Sequence, residues 1–466
     1  MNKSENIDRL HSRKHPKGLY LLFTLEMWER FSYYGMRGIL MLYLTKSFIE
    51  GGLAIDAGTA SLIYGFYTGF VYFTPLIGGW LADRYLGQRK AINIGALAMM
   101  FGQITLFALN SHAGLYCGLI LLILGNGFFK PNISTLVGKL YDRSDPKRDS
   151  AFSIFYMGVN LGAFLAPLIT GLLSDNIFAT KNEAGEIVAY GYRYGFLAAG
   201  AGMLLGQTIF AALAKKYLGK LGLSPEGARL YVGKKEKPAR EKLTSAEKQR
   251  IGVIFIFLSF SIFFWAGFEQ AGSSLTLYTD NYIDRTLVLP RIGQYTIPVA
   301  WFQSTGPLFV VLLAPLFGMF WVSKIGRRMP VAVKMGSGMV ILGVGFFFML
   351  AAVAQRGGDI DDTSIKASMW WLVFTYFVHT MGELCLSPVG LSVVTKLSPP
   401  KFASLLMAVW LSALFFANIL AGLLASHVET LGAGKIFLLI SVFVIICGFT
   451  LIALNRQISR MMNGVK

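Results

Sequence analysis

Glu26-Met27-Trp28-Glu29-Arg30-Phe31-Ser32-Tyr33-Tyr34-Gly35 places two carboxylates and a guanidinium inside a run that is otherwise apolar from Leu19 to Leu44. A run of that length spans a bilayer core of about 30 Å at roughly 1.5 Å per residue. Each charge exposed to lipid there would cost about 2.5 to 3.5 kcal/mol on insertion scales, so the polar groups look into a cavity or a protein interior. Glu26 and Arg30 stand four apart and share one helix face. Two readings of that face are open: a functional interior, or an ion pair that pins the helix to its neighbours.

The rest of the chain has the same character. Of 466 residues, 54% are hydrophobic and only 15% charged, which excludes a soluble enzyme with a polar shell. Twelve apolar stretches follow one another from Lys17–Thr45 to Ile436–Leu454, long and without strand-like alternation, so helices fit and barrel strands do not. The polar segment Met1 to Lys17 carries Lys3, Arg9, Arg13, Lys14 and Lys17 and no small-residue cleavage site, so no signal peptide is expected. The net charge of +18 suggests nucleic acid, but the placement of the cations argues otherwise. Of the 43 Lys and Arg, 31 fall on the N-terminus and alternate loops and 8 on the opposite loops, which predicts cytoplasmic termini and a basic face toward the lipid bilayer, with no nucleic-acid partner. Cys117, Cys385 and Cys447 lie in spans and are expected to be small buried side chains without disulfides.

Lys215 to Arg250 is the longest polar interruption, with eleven Lys or Arg and no spanning run. It divides the chain into a six-helix bundle over 1–214, a cytoplasmic basic linker over 215–250 and a second six-helix bundle over 251–466. Each half also carries a related basic loop after its second helix. Gly79 and Gly87 bracket Asp83 and Arg84 and lead to Arg89 and Lys90 in the first, and Gly318 and Gly326 lead to Arg327 and Arg328 in the second. Glycines permit close helix approach and the cations hold the loop inside, a gating hinge or a topology anchor. Two such loops at matching positions argue for the parallel repeat of the major facilitator fold, with a central cavity at the membrane midplane. Val322 stands where the first copy has Asp83, so a charge relay would be lopsided.

Three motifs then make the likeness specific. Glu26 to Gly35, Phe155-Tyr156-Met157-Gly158-Val159-Asn160-Leu161-Gly162, and Gly382-Glu383-Leu384-Cys385-Leu386-Ser387-Pro388-Val389-Gly390-Leu391 resemble the first-, fifth- and tenth-helix motifs of the proton-dependent oligopeptide transporters, a family of the major facilitator superfamily. The resemblance covers nearly the whole chain. It implies a bacterial inner-membrane symporter that imports di- and tripeptides by alternating access, driven by the proton gradient, without cofactor, metal or obligate protein partner. Two departures stand out. The linker is too short and polar for the two additional helices many bacterial members carry, and Gly306 stands where members often place an Asn that contacts the peptide backbone.

A di- or tripeptide is a zwitterion, so its site needs a cation, an anion and adaptable apolar walls. Arg30 and Lys130, the latter in Gly125-Asn126-Gly127-Phe128-Phe129-Lys130-Pro131-Asn132, suit the carboxylate, and Glu383 suits the ammonium. Isolated charges in long apolar helices are costly, which favours function over packing for Lys130 and Glu383. The resemblance adds Asn160 and Ser387 at the peptide, Tyr33, Tyr34, Tyr72 and Tyr156 as hydroxyls and aromatic walls, and Trp410 at a side-chain pocket. By residue type alone these aromatics are as well read as core or interfacial packing. His379, one turn before Glu383, is equally a packing histidine. Coupling needs a carboxylate whose protonation changes a salt bridge. Glu26, Glu29 and Glu269 are the candidates, and the resemblance pairs Glu269 with Arg37 as an outer-side gate, with Asp83 and Arg84 structural or gating in the loop.

Rivals remain in view. A carrier in the same fold for an amino acid, nitrate or another small anion is the nearest, and the opposed charges of Arg30 and Lys130 against Glu383 favour a zwitterion. A membrane enzyme lacks its motifs: there is no His-Glu-x-x-His, no Gly-x-Ser-x-Gly elbow and no phosphate loop. A peptide receptor that binds without transport is weakened by the absence of a soluble output domain.

Overall fold

The computed structural model describes residues 15–142, 145, 147–225, 243–290, 293–360, 362–399 and 402–465. Lys3, Arg9, Arg13 and Lys14 of the basic N-terminus and residues 226–242 of the linker lie outside the described residues. Eleven helices are long and apolar enough to cross a membrane among the described residues. A twelfth, α1 (Lys17–Thr45), is 29 residues long and stands apart from them only because it carries Glu26, Glu29, Arg30 and Arg37. In chain order the others are α2 (Ala57–Leu81), α3 (Gln88–Ala108), α4 (His112–Lys139), α5 (Lys147–Leu172), α6 (Tyr192–Leu218), α7 (Ser245–Phe268) and α8 (Thr305–Val322). They continue with α9 (Val331–Gln355), α10 (Met369–Leu397), α11 in two pieces (Ala403–Leu411 and Ala413–Ser426) and α12 (Ala433–Ala453). Among the described residues the connections hold three two-stranded sheets that the apolar pattern did not announce, pairing Thr180–Lys181 with Ile187–Ala189, Ile283–Asp284 with Ala367–Ser368, and Thr286–Leu289 with Gly293–Thr296.

Packing divides the chain into two compact units. One comprises Met1–Met36, Phe73–Ser174 and Gly191–Lys237, and the other Arg37–Tyr72, Asp175–Tyr190 and Pro238–Lys466. α1 and α2 each contribute one end to either unit.

Glycine spacing builds both units by the same rule. In the first, α3 and α4 approach until a Cβ on Gly95 would stand 2.5 Å from the Gly125 carbonyl oxygen, and one on Gly102 would stand 2.9 Å from that of Gly118. In the second, a Cβ on Gly338 of α9 would stand 2.7 Å from the Gly382 oxygen of α10, and Thr375 Oγ1 donates to the Gly345 carbonyl at 3.3 Å. Gly95 and Gly102 thus repeat as Gly338 and Gly345, and Gly118 and Gly125 as Thr375 and Gly382. Pro131 and Pro388 follow at the same offset inside α4 and α10. In a bilayer, where lipid tails are as apolar as leucine, such close backbone contact is what draws helices together. The internal repeat is therefore written in the packing interior as well as in the loops.

The two basic loops themselves diverge. α2 runs on as a π-helical turn, Ala82–Leu86, closed by Gly87 at φ 77°, whose N–H donates to the Ala82 carbonyl at 2.7 Å. In the second copy Ser323 caps a short helix, Lys324–Arg328, which contains Gly326. Close approach holds at Gly79, Gly87 and Gly326, but a Cβ on Gly318 meets nothing within 4 Å. The expectation for the cysteines is corrected at one position. Cys385 and Cys447 are buried, whereas Cys117 is exposed on α4, where a lipid-facing thiol costs nothing.

The tightest of these contacts is testable. A Cβ on Gly78 of α2 would lie 2.1 Å from the Gly127 carbonyl oxygen of α4, whereas one on Gly306 has open space. Gly78→Val is expected to lower the thermal unfolding midpoint of the purified protein, with an overpacking cost of about 1 to 3 kcal/mol, and Gly306→Ala to leave it within error. Equal midpoints for the two variants would contradict the packing described.

Candidate functional site

Within the first unit the charged face of α1 is fully buried: Glu26, Glu29 and Arg30 are each at most 4% exposed. The Arg30 guanidinium grips the Glu29 carboxylate with both Nε and Nη2, the latter at 2.6 Å. Arg30 Nε also lies 3.4 Å from Glu26 Oε1, while Glu26 Oε2 has no hydrogen-bond partner among the described residues. Asn126 of α4 donates to Glu29 Oε1 at 3.1 Å. Glu29 is therefore saturated and Glu26 is not. Arg30 also sits over the Tyr33 ring, 5.2 Å from its centroid, and Tyr33 meets Tyr34 edge to face at 5.1 Å. Gly162 of α5 makes this closeness possible, because a Cβ there would stand 2.3 Å from the Met27 carbonyl oxygen and 2.9 Å from Arg30 Cβ.

Lys130 is half-buried one turn beyond Asn126 on α4. On α5, Tyr156 is 53% exposed, and Asn160 is buried with its amide donating to the Tyr156 carbonyl at 3.0 Å. In the loop after α2, Asp83 accepts from Gln88 Nε2 at 2.8 Å and Arg84 lies against the rings of Trp80 and Tyr85. The tie from this loop to the start of the linker is made by Arg89 instead, through Nη1 to the Gly219 carbonyl at 2.8 Å and its N–H to the Gly222 carbonyl at 2.9 Å.

A second charged cluster is assembled within the other unit. Arg37 of α1 forms an ion pair with Glu269, and its Nε donates to Tyr64 Oη of α2 at 2.6 Å. Arg37 and Glu269 are 8% and 5% exposed. Glu269 sits where α7 gives way to a 3₁₀ turn, Glu269–Gly272, before the chain resumes as a helix over Ser274–Tyr282. Backbone freed at such a break must be satisfied inside the protein. Gln270 binds the Ala266 and Ala421 carbonyls, both at 3.1 Å, Ser274 Oγ donates to Gln270 Oε1 at 2.6 Å, and Tyr376 Oη donates to the Ala271 carbonyl at 3.4 Å. Gly272 is required here, since a Cβ would stand 1.8 Å from Tyr64 Oη.

Glu383 of α10 is half-buried and within electrostatic reach of Glu269. His379, one turn earlier, is buried with its ring 4.7 Å from that of Phe346. Ser387 is half-buried one turn after Glu383, Tyr72 is half-buried near the middle of α2, and Trp410 is only 7% exposed. The Trp410 indole fills the space a Cβ on Gly390 would need, with Cζ2 2.3 Å away.

Beyond the Thr45 end of α1, Lys46 Nζ pairs with Asp280 Oδ2 at 2.7 Å and lies 5.4 Å from the Tyr190 ring centroid, and Arg285 reaches Asp280 at 3.4 Å. Burial works against the Lys46 ammonium, but the Asp280 carboxylate more than offsets it and holds the group above the usual lysine range. A raised lysine contributes its stabilisation at every pH below its ordinary value and loses it only when pH climbs through the higher folded value. The Lys46 ammonium therefore stays charged at neutral pH. No group of three or more His, Cys, Asp or Glu among the described residues could hold a metal ion.

Three participants escaped the sequence reading. Asn126 lies one turn before Lys130 in the apolar α4, and an amide in an apolar helix is itself the signal. Tyr64, 27 residues from its arginine, and the Lys46–Asp280 bridge had no local signal.

Residues 89–227 and 216–439 match the POT family. The chain belongs to the POT family. The uncharacterized transporter YclF of Bacillus subtilis (strain 168) is 36% identical over 97% of this chain and 96% of its own. The peptide transporter YePEPT of Yersinia enterocolitica is 32% identical with the same shares covered. Among solved structures, a peptide transporter POT in complex with sulfate superposes with a TM-score of 0.84 at 33% identity, over 97% of this chain and 96% of that one. A POT family transporter in complex with 5-aminolevulinic acid gives 0.84 at 29% identity, over 95% and 97%. The fold is thus the twelve-helix major facilitator type, and the protein is a multi-pass membrane protein.

Arg37 supplies the test of the second cluster. Glu269→Gln leaves a buried guanidinium without its counter-charge and is expected to cost about 3 kcal/mol of thermal stability, whereas Tyr64→Phe removes one charge-assisted hydrogen bond and should cost about 1.5. The reverse order in thermal unfolding would show that Tyr64, not Glu269, is the main partner.

Proposed function

We propose that this POT family member is a proton-coupled symporter that imports di- and tripeptides by alternating access, and is not an enzyme. Curated relatives named as di-/tripeptide transporters, such as one from Lactococcus lactis at 30% identity over 97% of the chain, support the substrate class. The observation that carries the reading is the buried arrangement of Arg30 between two unequal carboxylates, Glu29 saturated and Glu26 half-satisfied.

Charge arithmetic gives this arrangement a function. Arg30 and Lys130 carry two positive charges, Glu26 and Glu29 two negative ones. A peptide carboxylate adds a third negative charge at a depth where an uncompensated charge is costly. A proton on Glu26 restores neutrality, and Glu26 is the carboxyl whose free oxygen can hold it. Arg30 then exchanges its fork between Glu29 and the peptide carboxylate, with Lys130 as a point charge beside it. In the same reading Glu383 takes the peptide ammonium, assisted by Asn160 and Ser387. Tyr33, Tyr34, Tyr72, Tyr156 and Trp410 shape the pockets for variable side chains.

Glu269 and Arg37 act as the outer gate, opened when a proton on Glu269 releases Arg37, and Asp83 and Arg84 serve the opposite end. The halves that rock are the six-helix bundles over 1–214 and 251–466, joined by the linker 215–250. The distribution of cations supports a bacterial inner membrane with both termini in the cytoplasm. The proton gradient supplies the energy, with no cofactor and no obligate protein partner.

Uptake of radiolabelled dialanine into proteoliposomes with an imposed inward proton gradient is the direct test. Accumulation above equilibrium that collapses with an uncoupler is expected. Glu26→Gln should abolish that accumulation and preserve peptide counterflow, since binding and rocking survive without a proton cycle. Loss of counterflow together with accumulation would make Glu26 a binding or structural residue. No dialanine uptake by the unmodified protein would turn the assignment toward another zwitterion or anion.

A further inference from the structure

A cavity of about 860 Å³ lies within the second unit. It is enclosed by the end of α8, the following short helix, the first turns of α9, the last turns of α10 and the C-terminal segment. Among the described residues its lining includes Arg327, Arg328, Lys334 and Lys396 and not one aspartate or glutamate. Four cations sharing one concavity repel each other, and the repulsion is relieved by an anion.

Other donors add to the cations. Trp321 Nε1 is buried and has no acceptor among the described residues, and Lys334 Nζ lies 4.7 Å from the Trp321 ring centroid. Pro330 occupies the N-cap of α9 and offers no side-chain cap, so the positive end of a 25-residue helix opens at the same place. The cavity is rich in donors and poor in acceptors.

The rest of the lining is largely apolar and includes Val389, Val393 and Leu397 of α10 and Met462 of the C-terminal segment, which together form a greasy wall. Outside the cavity Met319 and Ile325 are 64% and 68% exposed, as expected of surface that meets acyl chains. A small inorganic anion has no use for such a wall, whereas an amphiphile does. The site is at the end of the unit where the chain finishes and α7 begins, Asn463 Nδ2 donating to Gln249 Oε1 at 2.8 Å.

We propose that this cavity binds the phosphate headgroup of an anionic phospholipid, held by Lys334, Lys396 and the α9 N-terminus, with its acyl portion along the α10 wall. Headgroup capture here would tie the α8–α9 turn to α10 and the chain's end.

Native mass spectrometry of the full chain, titrated with phosphatidylglycerol and in parallel with phosphatidylcholine, tests the proposal. One tightly bound phosphatidylglycerol is expected. Each lysine near an anionic headgroup contributes about fivefold in affinity, so the Lys334→Gln/Lys396→Gln variant should bind it about twenty-five-fold more weakly, with phosphatidylcholine unaffected. The Lys334→Arg/Lys396→Arg variant keeps the charge and should bind as the unmodified protein does. A Lys215→Gln/Lys216→Gln variant, equal in charge loss but on α6, should also bind normally and exclude a net-charge effect. Equal binding by the unmodified protein and the double Gln variant overturns the proposal. So does displacement of the lipid by millimolar inorganic phosphate that itself binds one to one, which would make the ligand a free anion.

Discussion

A charge buried among helices must be balanced, and the arrangement of both units follows from how that balance is struck. Each unit holds one guanidinium on α1 and two carboxylates: Arg30 with Glu29 and Glu26 in one, Arg37 with Glu269 and the nearby Glu383 in the other. In the first unit Lys130 supplies the second positive charge, whereas in the other one positive charge faces two negative ones. In water the surplus would be hydrated at little cost; in a site closed to solvent it is a standing demand for a proton or a ligand cation. The glycines serve this demand. Gly162 lets α5 reach the backbone beside Arg30, and Gly272 lets Tyr64 reach Arg37, so that the polar groups meet where larger residues would hold them apart.

The break in α7 belongs to the same account. A carboxylate at the C-terminal end of a helix faces the partial negative charge of the last carbonyls, an unfavourable place for Glu269 without a counter-charge. Arg37 supplies it, while Gln270 and Tyr376 donate to backbone carbonyls around the 3₁₀ turn and Ser274 holds the Gln270 amide in place. Non-helical backbone is tolerated at this depth where such groups find partners inside the protein.

Much of this was legible in the chain. Helix number and approximate bounds followed from apolar runs, because a bilayer imposes their length; α1 spans Lys17–Thr45 as read. The buried polar face of α1 followed from the cost of charge in lipid, with residues four apart falling on one side. What was not legible depends on contacts between segments distant in sequence. Tyr64 looks like any aromatic in a glycine-rich helix until Gly272 is found against its hydroxyl. The interruption of α7 leaves no proline to announce it. Nor could matching loops reveal that Gly87 closes a turn at positive φ while Gly326 sits in a short helix, since both loops share composition and differ in backbone path.

The two clusters also differ in how they are built, and this supports the division of roles proposed for them. Glu26, Glu29 and Arg30 lie within five consecutive positions of one helix, so their mutual geometry survives any rigid movement of α1, with Asn126 and Lys130 added from α4. Such a cluster can carry a proton and exchange a substrate carboxylate without being dismantled. The Arg37 cluster takes its members from α1, α2, α7 and α10, and any displacement of α7 relative to α1 must break the Arg37–Glu269 pair. A polar link whose integrity depends on the relative position of helices reports that position. It is suited to a gate, and an intrahelical one to a carrier of charge.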